Sequence, residues 1–182
     1  MSDFFARPMR RVVTGSTDDG VATIREDGPP PRTLTWGETG PRAKLAVVWG
    51  DDEPPRRATL QVDRTPDLTQ YFPGPPGSYR VVLERFDPHY GVDAGISQAM
   101  RAAFREADLD LTMEADDDGG FHTTATVDFG VVLEGRIELV TADRVTTLQR
   151  GDVVVQTGVS HTWRNSFEEP CEMAFILIGA AG

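Results

Sequence analysis

The sequence predicts an all-β protein, an antiparallel sandwich or closed barrel made of short strands. From Gly120 onward, runs of β-forming residues alternate with turn signals such as TADR and QRGD. The first half shows similar runs between clusters of Gly and Pro, such as GPPPR and FPGPPG, which end strands and form rigid turns. Many short strands separated by tight turns are typical of these two architectures.

In the first half, strands are predicted where β-branched and apolar residues cluster. They cover 10–15, 21–27, 33–38, 43–50 and 79–86. The segment 97–108 differs, because its apolar residues recur at the spacing of an amphipathic helix. These residues are Met100, Ala103, Phe104 and Ala107. The sequence therefore predicts one short helix beside extra N-terminal strands.

In the second half, the predicted strands follow one another closely. They cover 126–135, 136–140, 145–148, 153–158, 160–165 and 171–179. The last strand is apolar on both faces, because the row Met173, Phe175 and Leu177 alternates with the row Ala174, Ile176 and Ile178. We expect such a strand to be buried on both sides, under the N-terminal segment or a second subunit of a homodimer.

Length and composition limit the classes of function. The 182 residues suit one structural unit, which we divide into a strand-rich extension over 1–78 and a barrel over 79–182. A net charge of -11 excludes a nucleic-acid surface, because phosphate contacts need clustered Lys and Arg. The single cysteine, Cys171, lies in an apolar run and is expected to be buried. No membrane span or signal peptide is expected, which predicts a cytoplasmic protein.

One stretch of the second half, GFHTTATVDFGVVLEG, places polar residues on alternate positions. Because side chains alternate along a strand, His122, Thr124, Thr126 and Asp128 share one face. This row of an imidazole, hydroxyls and a carboxylate is either a solvated face or the lining of a polar pocket. A second stretch, GDVVVQTGVSHTWRN, brings His161 about 30 residues after Asp128.

Together the two stretches resemble the two motifs of the cupin superfamily, as found in small single-domain bacterial cupins. The resemblance covers 120–178. His122, Asp128 and Gly135 stand at the first His, Glu and Gly positions of the first motif, and Gly151, His161 and Asn165 stand in the second. The sequence departs from the pattern at three positions, with Thr124 for the second His, Asp128 for Glu and Gln156 for the Pro of the turn.

The resemblance implies a double-stranded β-helix, or jelly-roll barrel, with a ligand in its mouth. His122, Asp128 and His161 would converge there as a facial triad for Fe, Mn, Ni or Zn. That set implies a metal-dependent dioxygenase, decarboxylase or lyase that acts on an organic acid or an aromatic compound. The helix 97–108 would cover the mouth, with Met100 or Phe104 closing it.

Two other functions remain open. In a metal-free dehydratase or isomerase, His161 oriented by Asp128 would abstract a proton next to a carbonyl, and His122 would protonate a leaving hydroxyl. A non-catalytic barrel that binds a small ligand is the other alternative. In each case Thr124, Gln156 and Trp163 are candidates for substrate binding. Arg80, Arg85 and Arg164 are candidates for binding a carboxylate.

Overall fold

The computed structural model describes residues 6–37, 42–55, 62–92, 96–109, 114–115 and 120–181. Within these ranges the chain is built from β-strands and one α-helix. The strands of the first half are β1 (Arg11–Ser16), β2 (Ala22–Gly28), β3 (Arg32–Trp36), β4 (Ala43–Asp51) and β5 (Tyr79–Phe86). Helix α1 (Ile96–Glu106) and the short β6 (Glu114–Ala115) follow. The remaining strands are β7 (His122–Thr123), β8 (Thr126–Glu134), β9 (Arg136–Val140), β10 (Val145–Gln149), β11 (Val153–Gln156), β12 (Thr162–Arg164) and β13 (Cys171–Gly179).

The main sheet is antiparallel and joins the two halves of the chain. Its strand order is β11-β8-β13-β5-β4-β3. Strand β13 pairs on one side with β8, where Leu177 faces Asp128, and on the other side with β5, where Met173 faces Glu84. The N-terminal strands β3 and β4 therefore extend the sheet edge beyond β5. Their pairing places N-terminal residues beside the barrel interior.

A smaller sheet completes the barrel. It has the order β10-β9-β12, and β6 pairs with β7 at one end. Between the sheets lies one apolar core. Its members from the second half include Val132, Ile137, Met173, Phe175 and Leu177. The first half contributes Leu34, Trp36, Leu45, Val82 and Phe86.

Helix α1 packs against β3 through its apolar face, which includes the buried Phe104. No helix in the described part of the chain is long and apolar enough to cross a membrane. Cys171 is fully buried, as predicted, and burial raises the pKa of its thiol to about 12. It therefore acts as a small apolar residue of the core.

The predicted strands and helix are confirmed to within a few residues, with two differences. The predicted row from His122 to Asp128 is interrupted at 124–125, so that β7 and β8 are separate strands. The N-terminal segment, one of the two covers expected for the outer face of the last strand, does not cover it. Ile176 and Ile178 are 44% and 36% exposed, because β3 and β4 extend the sheet sideways and leave the outer face of β13 open.

Two motif glycines with left-handed backbone allow a test of the barrel's packing. A Cβ on Gly135 (φ +75°) would lie 2.1 Å from the carbonyl oxygen of Pro170, whereas one on Gly151 (φ +92°) would meet nothing within 4 Å. We expect Gly151→Ala to lower the free energy of unfolding by about 1 kcal/mol, the strain of a left-handed L-residue. Gly135→Ala should cost about 3 kcal/mol or more, because a backbone clash is added.

Urea denaturation of both variants measures this difference. Equal losses for Gly135→Ala and Gly151→Ala would contradict the close approach of the β8–β9 turn to Pro170.

Candidate functional site

The barrel encloses one cavity that residues from both halves of the chain line. Its volume is about 60 Å³, or about 540 Å³ when the space at its opening is included. Its aromatic and aliphatic wall consists of Trp36, Leu45, Tyr71, Phe72, Phe86, Tyr90, Met100, Phe104, Trp163, Phe175 and Leu177. Its polar residues are Glu84, His122, Asp128, Gln156 and His161. An apolar cavity with a few polar groups is the usual form of a small-molecule site.

The two motif histidines are held side by side by their own backbones. The amide of His122 donates to the carbonyl of His161 (2.9 Å), and the amide of His161 donates back (3.1 Å). Residues that face each other in this way send their side chains to the same side of the sheet. Their ring centroids lie 4.4 Å apart. The fold therefore brings His122 and His161 together, as the resemblance implied.

The hydrogen bonds of the two rings define which nitrogen is left for a ligand. Nδ1 of His122 lies 3.0 Å from the carbonyl oxygen of Gly120, and Nδ1 of His161 lies 2.8 Å from that of Val159. Because a carbonyl oxygen only accepts, each Nδ1 carries the proton and each Nε2 keeps its lone pair. The Val159 carbonyl, and not Asp128 as predicted, therefore orients the ring of His161.

Both imidazoles are neutral at pH 7. Burial and, to a smaller extent, the neighbouring His122 together lower the pKa of His161 to about 4, against the opposing effect of the hydrogen bond to the Val159 carbonyl. Burial also lowers the pKa of His122. Two neutral rings, each with a free Nε2 lone pair, form an accepting surface for a hydrogen-bond donor or a metal ion.

Asp128 and Gln156 form a second polar pair in the cavity. They face each other directly across β8 and β11, and both are buried. Residues in such a pair have Cβ atoms about 5 Å apart. Oδ1 of Asp128 and Nε2 of Gln156 nevertheless have no hydrogen-bond partner within the described ranges. An acceptor and a donor thus lie next to each other, available to a bound molecule.

Burial raises the pKa of Asp128 to about 6, although a hydrogen bond from Thr126 opposes the shift. At pH 7 the carboxyl group is therefore mostly ionised. Its pKa is higher than that of His161, whereas the pKa of a carboxylic acid is usually lower than that of an imidazole. The stronger base of the two is Asp128.

The other predicted residues divide into those that line the cavity and those that do not. Trp163 lines it and packs edge-on against His161 at 6.1 Å. Thr124 differs from the prediction, because it is absent from the wall and its hydroxyl bonds to that of Thr126 at 2.7 Å. Asn165 fixes a turn through hydrogen bonds to the carbonyls of Asp87 and Glu169.

The three arginines considered for carboxylate binding do not line the cavity. Arg80 is bound to Asp52 and to backbone carbonyls, and Arg85 lies 3.2 Å from Glu172. Arg164 donates to Glu138 at 2.7 Å. Each guanidinium is thus engaged elsewhere, since neighbouring acidic groups and carbonyls satisfy its donors.

Helix α1 covers part of the cavity. Met100 and Phe104, the two residues expected to close the mouth, both belong to the wall. Phe104 is buried and contacts the rings of Trp36 (5.8 Å between centroids) and Tyr71 (5.0 Å). The helix and the N-terminal strands therefore build one aromatic side of the cavity together.

The sequence reasoning missed Glu84 and the aromatic residues of the first half. Glu84 is half-buried in the wall, and burial raises the pKa of its carboxyl to about 8. The alternation of β5 could have revealed it, because Glu84 shares a face with Val82 and Phe86. Trp36, Tyr71 and Tyr90 gave no such signal, since their position depends on how the N-terminal strands join the sheet.

The donor atoms of the cavity fit a metal ion only in part. The two imidazoles offer Nε2 atoms with Nδ1 fixed by carbonyls, which is the usual arrangement of metal-binding histidines. However, within the described ranges no three His, Cys, Asp or Glu side chains form a group that could hold a metal ion. The set His122, Asp128 and His161 therefore stays a prediction, and so does the choice among Fe, Mn, Ni and Zn.

Comparison with known proteins gives a match in the second half of the chain. The family model described as cupin domain matches residues 110–178. Over 46 residues the chain is 54% identical to oryzines biosynthesis cluster protein J of Aspergillus oryzae, covering 25% of this chain and 26% of that protein. Over 45 residues it is 51% identical to phomopsin biosynthesis cluster protein C' of Diaporthe leptostromiformis, covering 24% of each. The matched region thus spans about a quarter of the length of these relatives.

Among solved structures, the chain is similar to the Cnp3 cupin domain of Schizosaccharomyces pombe, with 8% identity and a TM-score of 0.46, covering 93% of this chain and 87% of that one. It is also similar to AerE from Microcystis aeruginosa, with 16% identity and a TM-score of 0.44, covering 81% and 46% of the two chains. Residues 110–178 match the cupin family and carry its motif residues on a β-barrel. Over these residues the chain is therefore similar to cupin domains.

Proposed function

We propose that this protein is a small-molecule enzyme that abstracts a proton next to a carbonyl group, as an isomerase or dehydratase does. The observation that carries the proposal is the pair Asp128 and Gln156. A buried carboxylate and a buried amide face each other in the cavity, and Oδ1 of Asp128 and Nε2 of Gln156 have no hydrogen-bond partner within the described ranges.

Asp128 is the general base in this proposal. A base works best when its pKa lies near the working pH. The pKa of Asp128, raised by burial to about 6, meets this condition better than that of His161, lowered by burial to about 4. The carboxylate removes the proton from the carbon next to the carbonyl and keeps it for return to another carbon or for loss with a leaving hydroxyl.

Gln156 stabilises the product of this step. When the proton leaves, negative charge develops on the carbonyl oxygen. The unpartnered Nε2–H of Gln156 is the donor nearest in register to Asp128, and it supplies a hydrogen bond to that oxygen. A donor positioned in advance in a cavity with little water stabilises such a charge more than water does.

His122 and His161 bind and orient the substrate. Their Nε2 lone pairs accept a hydrogen bond from a hydroxyl of the substrate, because their Nδ1 protons are engaged. Trp163 and Phe175 pack together at 5.6 Å and form an apolar side for the rest of the molecule. The similarity to proteins of oryzine and phomopsin biosynthesis clusters supports a role on a small organic molecule.

Hydrogen–deuterium exchange tests the proposed reaction without knowledge of the natural substrate. With phenylacetone in deuterated buffer, the protein should accelerate loss of the benzylic C–H signal in the NMR spectrum. The rate should rise as pH increases through about 6, because Asp128 must be ionised. Asp128→Asn should abolish the acceleration, and Gln156→Leu should reduce it about a hundredfold.

Asp143→Asn is the matched control, since Asp143 lies in an exposed turn outside the cavity. It should exchange phenylacetone at the parent rate. Exchange no faster than in buffer, or an unchanged rate in Asp128→Asn, would contradict the proposed reaction.

A metal-dependent reaction on an organic acid or aromatic compound is the second candidate. The observation that favours it is the fixed orientation of both imidazoles, which leaves two Nε2 atoms for a metal ion. His122 and His161 would hold the ion, with Asp128 as the predicted third ligand. Such an ion would polarise a bound carbonyl as a Lewis acid.

Elemental analysis of untagged protein, equilibrated with Fe, Mn, Ni or Zn and then desalted, tests this candidate. About one equivalent of metal should remain in the parent protein and be lost in His122→Ala and in His161→Ala. His89→Ala is the control, because His89 is exposed and lies beside Glu168 outside the cavity. Retention of metal in His161→Ala would contradict a site at these residues.

We also propose that the protein is a homodimer. The outer face of the main sheet carries an apolar row in which Val155, Phe129 and Ile176 are neighbours in register. All three are exposed, and Val155 is 54% exposed. A contiguous apolar surface of this kind is typical of an interface. A second copy presents the same face, so that two copies bury both rows.

Light scattering should therefore give twice the chain mass for the parent protein. The double variant Val155→Asp, Ile176→Asp should be monomeric, because two copies would bury four unpaired carboxylates. Val21→Asp is the control, since Val21 is 62% exposed outside this face. A monomeric parent, or a dimeric double variant, would contradict the interface.

A further inference from the structure

The cavity contains acidic groups without basic ones. Of the residues that line it, two are carboxylic acids, Glu84 and Asp128, and within the described ranges none is Arg or Lys. The two imidazoles are neutral acceptors, because their Nδ1 protons are bound to carbonyls. A ligand that enters this cavity therefore meets several acceptors, the amide donor of Gln156 and no fixed positive charge.

Glu84 lies on a different strand from the pair Asp128 and Gln156. Along β13, Glu84 faces Met173 on one side, whereas Asp128 faces Leu177 on the other. The side chain of Phe175 lies between these two positions and belongs to the cavity wall. The cavity thus has two separate acidic positions.

Aromatic rings surround the Glu84 position. Glu84 is close enough to Tyr71 and Tyr90 that its negative charge, after burial, raises the pKa of both hydroxyl groups. Tyr90 packs on Phe86 at 4.9 Å, and Tyr71 packs on Phe104 at 5.0 Å. Within the described ranges no hydrogen bond or ion pair joins Glu84 to a basic side chain, and burial alone raises the pKa of its carboxyl to about 8.

We propose that Glu84 binds a protonated amine on an aromatic or other apolar ligand, and that the cavity excludes carboxylates. An ammonium group inside a protein needs a counter-charge and hydrogen-bond acceptors. A protonated amine beside Glu84 favours the ionised form of its carboxyl, which then supplies the counter-charge. The rings around Glu84 attract the cation through their π faces. A carboxylate in the same place would meet Glu84 and Asp128 with no cation to pair with.

This inference rests on the proposed function only in using the same cavity as the ligand site. It replaces the expectation of an organic acid as substrate with that of an amine. It also assigns Glu84 a role in specificity that is separate from the proton transfer at Asp128.

Isothermal titration with three probes of nearly equal size tests the proposal. The probes are phenethylamine, 2-phenylethanol and phenylacetate. The parent protein should bind phenethylamine at least about tenfold more tightly than phenylacetate, with 2-phenylethanol between them. Glu84→Gln should remove the preference for the amine and leave the affinity for 2-phenylethanol within about twofold.

Asp128→Asn is the matched variant, because it removes the other acidic group of the same cavity. It should keep the preference for phenethylamine. Glu84→Met, whose side chain has a volume similar to that of Glu, repeats the test without an amide group. Thermal unfolding of each variant establishes that the variant is folded. Phenylacetate binding as tightly as phenethylamine, no binding of phenethylamine, or loss of the preference in Asp128→Asn alone would overturn the proposal.

The experiment separates this inference from the proposed reaction. Selective binding of phenethylamine without deuterium exchange of phenylacetone would support Glu84 as the amine site and contradict the proposed reaction. Exchange that depends on Asp128, with equal affinities for the three probes, would support the proposed reaction and contradict Glu84 as the amine site.

Discussion

The pairing of β13 with both β8 and β5 is the constraint on which the rest of the structure depends. β8 carries Asp128, β5 carries Glu84, and β13 holds both in one register through continuous ladders of hydrogen bonds. Its inward residues Phe175 and Leu177 are part of the cavity wall. Gly130 makes this possible, because a Cβ there would lie 2.9 Å from the ring of Phe175. The central strand therefore sets both the spacing of the acidic groups and the shape of the apolar wall.

In the described part of the chain, the titratable side chains of the cavity are buried without charged partners. This burial is the common cause of their shifted pKa values. Buried arginines that could balance the carboxylates of the cavity are paired with acidic residues outside it, Arg85 with Glu172 and Arg80 with Asp52. As a result, the pKa values of Glu84 and Asp128 rise while that of His161 falls. Buried polar atoms without partners lower stability by about 1–3 kcal/mol each. The protein keeps them where a ligand can satisfy them.

Much of the fold could be predicted from the sequence, because alternation and turn residues are local signals. The strands of the second half, the helix and the inward face of β8 are confirmed, and the paired motifs indicated that His122 and His161 meet. The exposure of Ile176 could not be predicted, because it depends on which edge of the sheet the N-terminal strands join. The inverted base strengths of Asp128 and His161 also depend on burial and on hydrogen bonds to carbonyls, which the sequence does not display.

The sequence predicted that Asp128 lines a pocket, but it did not predict most of the aromatic residues around it. These residues come mainly from distant positions in the chain. Trp36, Tyr71 and Tyr90 belong to segments whose own patterns indicate only strands and turns. They reach the cavity through the six-stranded sheet and the loops beside it. The motif residues therefore predict where the polar groups of the cavity lie, whereas the N-terminal half supplies most of its aromatic wall.

The alternation of β8 has a consequence for how the chain reaches its native state. Its inward row includes Asp128 and Val132, and its outward row includes Phe129 and Leu133. A slip of one residue in the pairing with β13 would exchange the two rows. A slipped chain would then bury Phe129 where Gly130 now admits Phe175, and it would place Asp128 in the middle of the apolar outer face. A slipped chain would thus lose the cavity and the outer apolar surface together.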